Sequence, residues 1–131
     1  MAVVLKSWKP LIPELSPGTT FQEYMKSLGK AVAAAAPERR VQGIGALSFM
    51  LYALTHEEMR SRVIQFNAEL YTAGAKRLRQ SFRRRDLPMP PEHIVRVTHA
   101  LTDGLTFLRL LTPELITDDV VMSAFDALAR R

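Results

Sequence analysis

The chain has 131 residues, 47% hydrophobic and 24% charged, a balance that fits one globular domain and excludes a disordered polymer. With no cysteine it has no disulfide, thiolate metal site or thiol nucleophile, and its longest uncharged run, Val41 to Thr55, is shorter than the roughly 20 apolar residues of a bilayer-spanning helix. The net charge of +5, from 18 Lys and Arg against 13 Asp and Glu, is a modest surplus common among proteins that bind no polyanion.

The opening segment, MAVVLKSWKPLIPEL, has no apolar run of the secretory kind, so the sequence predicts a cytoplasmic protein with no membrane partner. Pro10, Pro13 and Pro17-Gly18 break residues 1–19 into a lead-in, with at most a short turn near Val3 to Trp8, and a single domain is expected over residues 20–131. Thr19 or Thr20 is placed to cap a first helix, with Gln22 or Glu23 completing a capping box. Phe21, Tyr24, Met25, Leu28 and Val32 then predict that helix from about Thr20 to Ala35. Pro37 suits the first turn of a second helix whose later part, VQGIGALSFMLYAL, is apolar on every side and so is expected at the centre of the molecule.

Thr55 is the expected cap of a third helix, with Glu57 and Glu58 in its first turn. Met59, Val63, Phe66, Leu70, Ala73, Leu78 and Phe82 carry its stripe almost to Arg85. The prolines of Asp86-Leu87-Pro88-Met89-Pro90-Pro91 end it. A fourth helix follows from Glu92, striped by Ile94, Val97, Leu101, Leu105 and Leu108 and ended near Thr112-Pro113; Thr117 then caps a fifth that buries Val120, Val121, Ala124, Phe125 and Leu128. No strand-like alternation or internal repeat appears, so the class is all-α, an orthogonal or up-down bundle of about five main helices.

Three groups of residues invite a functional reading. Phe49, Met50 and Tyr52 of the second helix, with Phe66, Asn67 and Leu70 of the third, form a candidate ligand-binding wall, because a sparse polar group in an apolar surface is how pockets orient ligands; plain core packing is the competing reading. Lys76, Arg77, Arg79, Arg83, Arg84 and Arg85 could meet an anion, but they also suit the negative end of a helix dipole and a solvated helix end, the reading adopted here. His56, His93 and His99 match no metal-ligand or nucleophile pattern, and His99 lies one turn before Asp103, which predicts a local ion pair or a dimer contact. No catalytic residue, metal site or cofactor is predicted.

Residues 100–128, ALTDGLTFLRLLTPELITDDVVMSAFDAL, resemble the closing helices of the tetracycline-repressor-like (TetR) family of transcription regulators, whose penultimate helix commonly has an alanine-rich start, an Asp-Gly-Leu core and a Leu-Leu-x-Pro end. Asp103-Gly104-Leu105 and Leu110-Leu111-Thr112-Pro113 match that pattern, and the likeness extends back to about Glu58. The resemblance implies a C-terminal domain that senses a small apolar effector and makes a homodimer through its last two helices as a four-helix bundle. Members of that family open with a helix-turn-helix DNA reader, for which the first twenty residues leave no room, so DNA would be reached only through an N-terminal domain this chain lacks. Ala100, Asp103, Phe107, Leu110, Val121 and Phe125 are the expected dimer contacts, because Ala100, Phe107 and Leu110 form a stripe distinct from that of Leu101, Leu105 and Leu108. A stand-alone helical adaptor, pairing with itself or another protein and sensing nothing, is the alternative.

Overall fold

The computed structural model describes the backbone of residues 15–38 and 40–130 and the side chains of 15–34 and 40–130. Most of the lead-in, including the turn expected near Val3 to Trp8, lies outside the described residues. Within them the chain is all-helical: α1 (Phe21–Glu38), α2 (Arg40–Leu54), α3 (Glu57–Ser81), a single 3₁₀ turn (Arg84–Asp86), α4 (Pro91–Leu111) and α5 (Asp118–Ala129). The bundle is built from two main pairs, α1 on α5 and α3 on α4, with α2 laid against α3 and α4.

The helix starts follow from local chemistry. Thr20 Oγ1 accepts from the Glu23 amide at 3.1 Å and Thr117 Oγ1 accepts from the Val120 amide at 3.4 Å, each satisfying one orphan donor of a first turn. Pro91 occupies the first position of α4, where its missing N–H costs nothing. Two expected boundaries differ. Pro37 falls inside α1, carried there by the helix-forming alanines before it, and α2 starts only at Arg40. Thr55 does not cap α3: its hydroxyl donates back to the Tyr52 carbonyl, and His56 takes the cap position without a side-chain capping bond.

α3 also stops earlier than its stripe predicts. Phe82 leaves the helix in extended conformation and packs edge-on to Phe21, ring centroids 5.7 Å apart, and stacked with Tyr24 at 6.1 Å. Leu87, just beyond, is buried. Seating these two side chains outweighs the helix preference of Arg83 to Arg85.

The closed core joins α1, α5, the later half of α3 and α4. It comprises Phe21, Met25, Leu28, Val32, Leu78, Leu87, Ile94, Leu105, Val121 and Phe125. α1 and α5 approach closely because Gly29 leaves no side chain between them; a Cβ there would stand 3.2 Å from Met122 Sδ and 3.3 Å from Phe125 Cβ.

The expectation for α2 is corrected. It lies at the edge, its fully buried residues only Ala46 and Ala53, with Val41 83% and Leu54 71% exposed. Since α1 and α5 pair with each other, no element among the described residues covers the far side of α2, and an all-round apolar sequence could not say which side a neighbour would take.

A candidate effector chamber and an open helix face

A second tier of half-buried side chains lies where α2 meets α3 and α4. Phe49, Met50, Phe66, Asn67 and Leu70, five of the six expected wall residues, are half-buried and stand outside the closed core. The sixth, Tyr52, is half exposed at the α2–α3 corner, stacked on the His56 ring with centroids 3.5 Å apart. α2 is held to the end of α4 by Leu110, whose Cδ1 would lie 3.1 Å from a Cβ at Gly43, and by Arg40, whose guanidinium donates to the Leu110 carbonyl at 3.3 Å.

A polar chain crosses from α3 to α4 beside this tier. The Tyr71 hydroxyl lies 2.6 Å from His99 Nδ1, and His99 Nε2 lies 3.2 Å from Asp103 Oδ2. With a neutral imidazole, the phenol donates to Nδ1 and Nε2–H donates to the carboxylate. The other carboxylate oxygen, Asp103 Oδ1, is buried and has no hydrogen-bond partner among the described residues. The α3–α4 register is fixed by Tyr71 against His99 and by Gly74 against Val95. The sequence predicts the His99–Asp103 pair from its one-turn spacing but not Tyr71, which sits 28 residues from His99 and carries no local signal.

Burial pushes the Asp103 carboxyl above its ordinary range, against the His99 hydrogen bond and charge that pull it down. Burial likewise raises the Tyr71 phenol, with the Asp103 charge adding to the rise and Arg96, 5.0 Å from the ring centroid, opposing it. A carboxyl with a raised folded-state pKa takes up its proton more readily in the native state, so its contribution favours folding below the ordinary aspartate range and is lost as pH rises through the raised value. The stability of wild type relative to Asp103→Asn is therefore expected to fall as pH rises from about 4 through the raised pKa. Urea unfolding of both proteins across that range checks it, and a difference that is flat or grows with pH is the contrary result.

The expected dimer residues divide. Ala100 and Phe107 are exposed on the outer face of α4. Asp103 is engaged by His99 with its side chain about a third exposed, and Leu110 turns to α2. Val121 and Phe125 are 0% exposed in the protomer's own core and are corrected from partner contacts to core residues, because the face of α5 that carries them is taken by α1. The stripe left open on α4 is Val97, Ala100, Gly104, Phe107, Leu108 and Leu111, spaced three, four and seven apart along one side; Leu111 is 62% exposed and a Cβ on Gly104 would meet nothing within 4 Å.

The basic run has structural uses. Arg79 pairs with Glu92, joining α3 to α4; Arg77 lies over the Tyr24 ring at 5.9 Å; and Arg84 donates to the Leu87 carbonyl at 3.3 Å. Among the described residues no cluster of three metal-ligating side chains occurs, and no helix is long and apolar enough to cross a membrane. Comparison with family models, with curated proteins and with solved structures finds no match for the chain.

Proposed function

We propose that this chain is the effector-sensing and dimerising domain of a TetR-like transcription regulator. The observation that carries the reading is the open stripe on α4, in which Ala100 and Gly104 stand one turn apart between Val97 and the cluster Phe107, Leu108 and Leu111. Small residues flanked by large apolar ones let a second helix approach closely, and an exposed apolar stripe is the kind of surface that protein partners cover. It lies in the segment whose wording resembles the dimerising helices of that family. Arg109 pairs with Asp118 at 2.7 Å and fixes the start of α5 against the end of α4. The half-buried tier between α2, α3 and α4 is the matching place for an effector.

In this reading an effector that fits one arrangement of α2 against α3 and α4 shifts the population of bundle conformations, and the dimer geometry carries that shift to DNA-binding domains outside this chain. Two measurements test it together. Sedimentation equilibrium is expected to return a dimer of the 14.8 kDa chain at micromolar concentration, and gel-shift titration is expected to show no sequence-specific DNA binding by these 131 residues. A strict monomer, or tight binding of one DNA sequence, sinks the assignment. An adaptor that senses nothing is separated by thermal melting, because only a sensor gains stability with the concentration of a bound small molecule.

A further inference from the structure

The charge of the chain is gathered at one end of the α3–α4 pair. Residues 76–96, which run from the last turns of α3 through the 3₁₀ turn into the first turns of α4, hold seven Lys and Arg against two Asp and Glu. That surplus equals the +5 of the whole chain, so the remaining residues are neutral on balance. Four of the seven cations act within the protomer: Arg79 pairs with Glu92, Arg77 lies over the Tyr24 ring, Arg84 donates to the Leu87 carbonyl and Arg96 covers the Tyr71 ring. Lys76, Arg83 and Arg85 are exposed and engage no group among the described residues. The dipole at the end of α3 is met by Arg79 in its last turn, and Arg83 and Arg85 stand beyond it.

The backbone that carries these two arginines is held on both sides. Phe82 packs against Phe21 and Tyr24, Leu87 is buried, and the Asp86 and Leu87 amides donate to the Arg83 and Arg84 carbonyls at 2.9 and 3.2 Å. Two guanidinium groups are thus presented from a fixed turn, which loses less conformational entropy on binding than a loose loop would. Opposing charge is sparse: Glu92 is taken by Arg79, Asp86 is also engaged, and on α1 Glu23 is balanced by Lys26. No large apolar side chain between Ile64 and Val97 is exposed, so an occupant of this end is recognised by charge and hydrogen bonding. Rows of phosphates are carried by nucleic acids and by anionic lipids, and an end with nothing apolar to sink into a bilayer suits the nucleic acid.

Resting on the regulator reading above only for the choice of DNA over RNA, we propose that this end of the molecule, through Arg83, Arg85 and Lys76, lies against the phosphate backbone of duplex DNA without reading its sequence. A guanidinium makes paired N–H bonds to phosphate oxygens, and each neutralised phosphate releases counterions, an effect blind to base identity. The contact needs neither the effector nor the dimer.

Anisotropy titration of two unrelated fluorescent duplexes of about 20 base pairs tests it on the 131-residue protein. Both are expected to bind equally, with Kd of about 1–100 µM at low salt, and three phosphate contacts weaken binding about fortyfold between about 50 and 200 mM salt. Arg83→Gln/Arg85→Gln is expected to weaken binding at least about tenfold at low salt and to lower the slope of log Kd against log salt by about 1.8. Arg60→Gln/Arg62→Gln removes the same charge at the opposite end of α3, roughly 35 Å away, and is expected to leave Kd within about twofold. Equal losses in the two variants assign binding to net charge and overturn the site, as does binding that ignores salt. Tighter binding of duplex RNA, or of phosphatidylcholine vesicles containing phosphatidylserine, overturns DNA as the occupant. Absence of duplex binding at low salt overturns the proposal alone, whereas a strong preference for one of the two sequences contradicts the regulator reading as well.

Discussion

Phe125→Ala is expected to cost about 3–5 kcal/mol of folding stability, the range for removing a fully buried aromatic ring, against a total of about 5–15 kcal/mol for a domain of this size. The ring is 0% exposed, its Cβ stands where α1 comes closest at Gly29, and it belongs to the cluster of Met25, Leu28, Val32 and Val121. Neither α1 nor α5 can close that space alone: Gly29 has no side chain to swing inward, and Met122 already occupies the adjoining position. Urea unfolding followed by circular dichroism gives the number. The informative control is protein concentration. A core residue of one protomer loses the same stability in a monomeric background, whereas a residue of the dimer interface loses most of its effect there. A Phe125→Ala cost that vanishes in the monomeric variant described next would restore Phe125 to the interface and contradict its place under α1.

That monomeric variant is Leu108→Glu/Leu111→Glu. Both side chains are substantially exposed on α4, so two carboxylates there are expected to leave the protomer fold within about 0.5 kcal/mol of wild type, the range for surface changes. In a dimer formed through this face the same carboxylates would be buried without partners, at a cost of several kcal/mol, so dimerisation is expected to weaken at least about a hundredfold. Gly104→Leu is the neutral companion. Nothing within 4 Å blocks a Cβ at Gly104, and the change improves helix propensity by several tenths of a kcal/mol, so the protomer is expected to gain stability while the dimer loses its close approach. Sedimentation equilibrium and monomer unfolding measured side by side decide it: a dimer unaffected by both variants moves the interface elsewhere, with the uncovered side of α2 the next surface to test.

Much of the bundle was legible because its signals are local. Thr20, Thr117 and Pro91 act within a turn of themselves, and the stripes Phe21, Met25, Leu28, Val32 and Ile94, Leu101, Leu105 depend only on helical period. The larger failures are long-range. Phe82 is drawn out of α3 by Phe21, some sixty residues earlier in the chain, and periodicity carries no trace of that attraction. α2 is apolar on all sides, so its pattern contains no direction, and its edge position follows from α1 having found α5. On α4 the period correctly gives more than one apolar stripe, yet Leu108 and Leu110 exchange roles: Leu108 is open to solvent and Leu110 turns to Gly43, a contact that depends on where α2 crosses. The candidate site shows the same division. His99 with Asp103 follows from one-turn spacing on one helix, whereas Tyr71 joins them only because α3 and α4 run side by side.

The contrast between the two tiers also sets how the molecule comes apart. Peeling α2 away uncovers two alanines and a set of side chains already half wet, whereas lifting α5 would expose Val121 and Phe125 from complete burial. Free energies of opening scale with the apolar area newly given to water, so α2 is the element with the lowest unfolding threshold and α1 with α5 the last to separate. The domain therefore behaves as a rigid base, α1 with α5, that carries α2 as a loosely held wing.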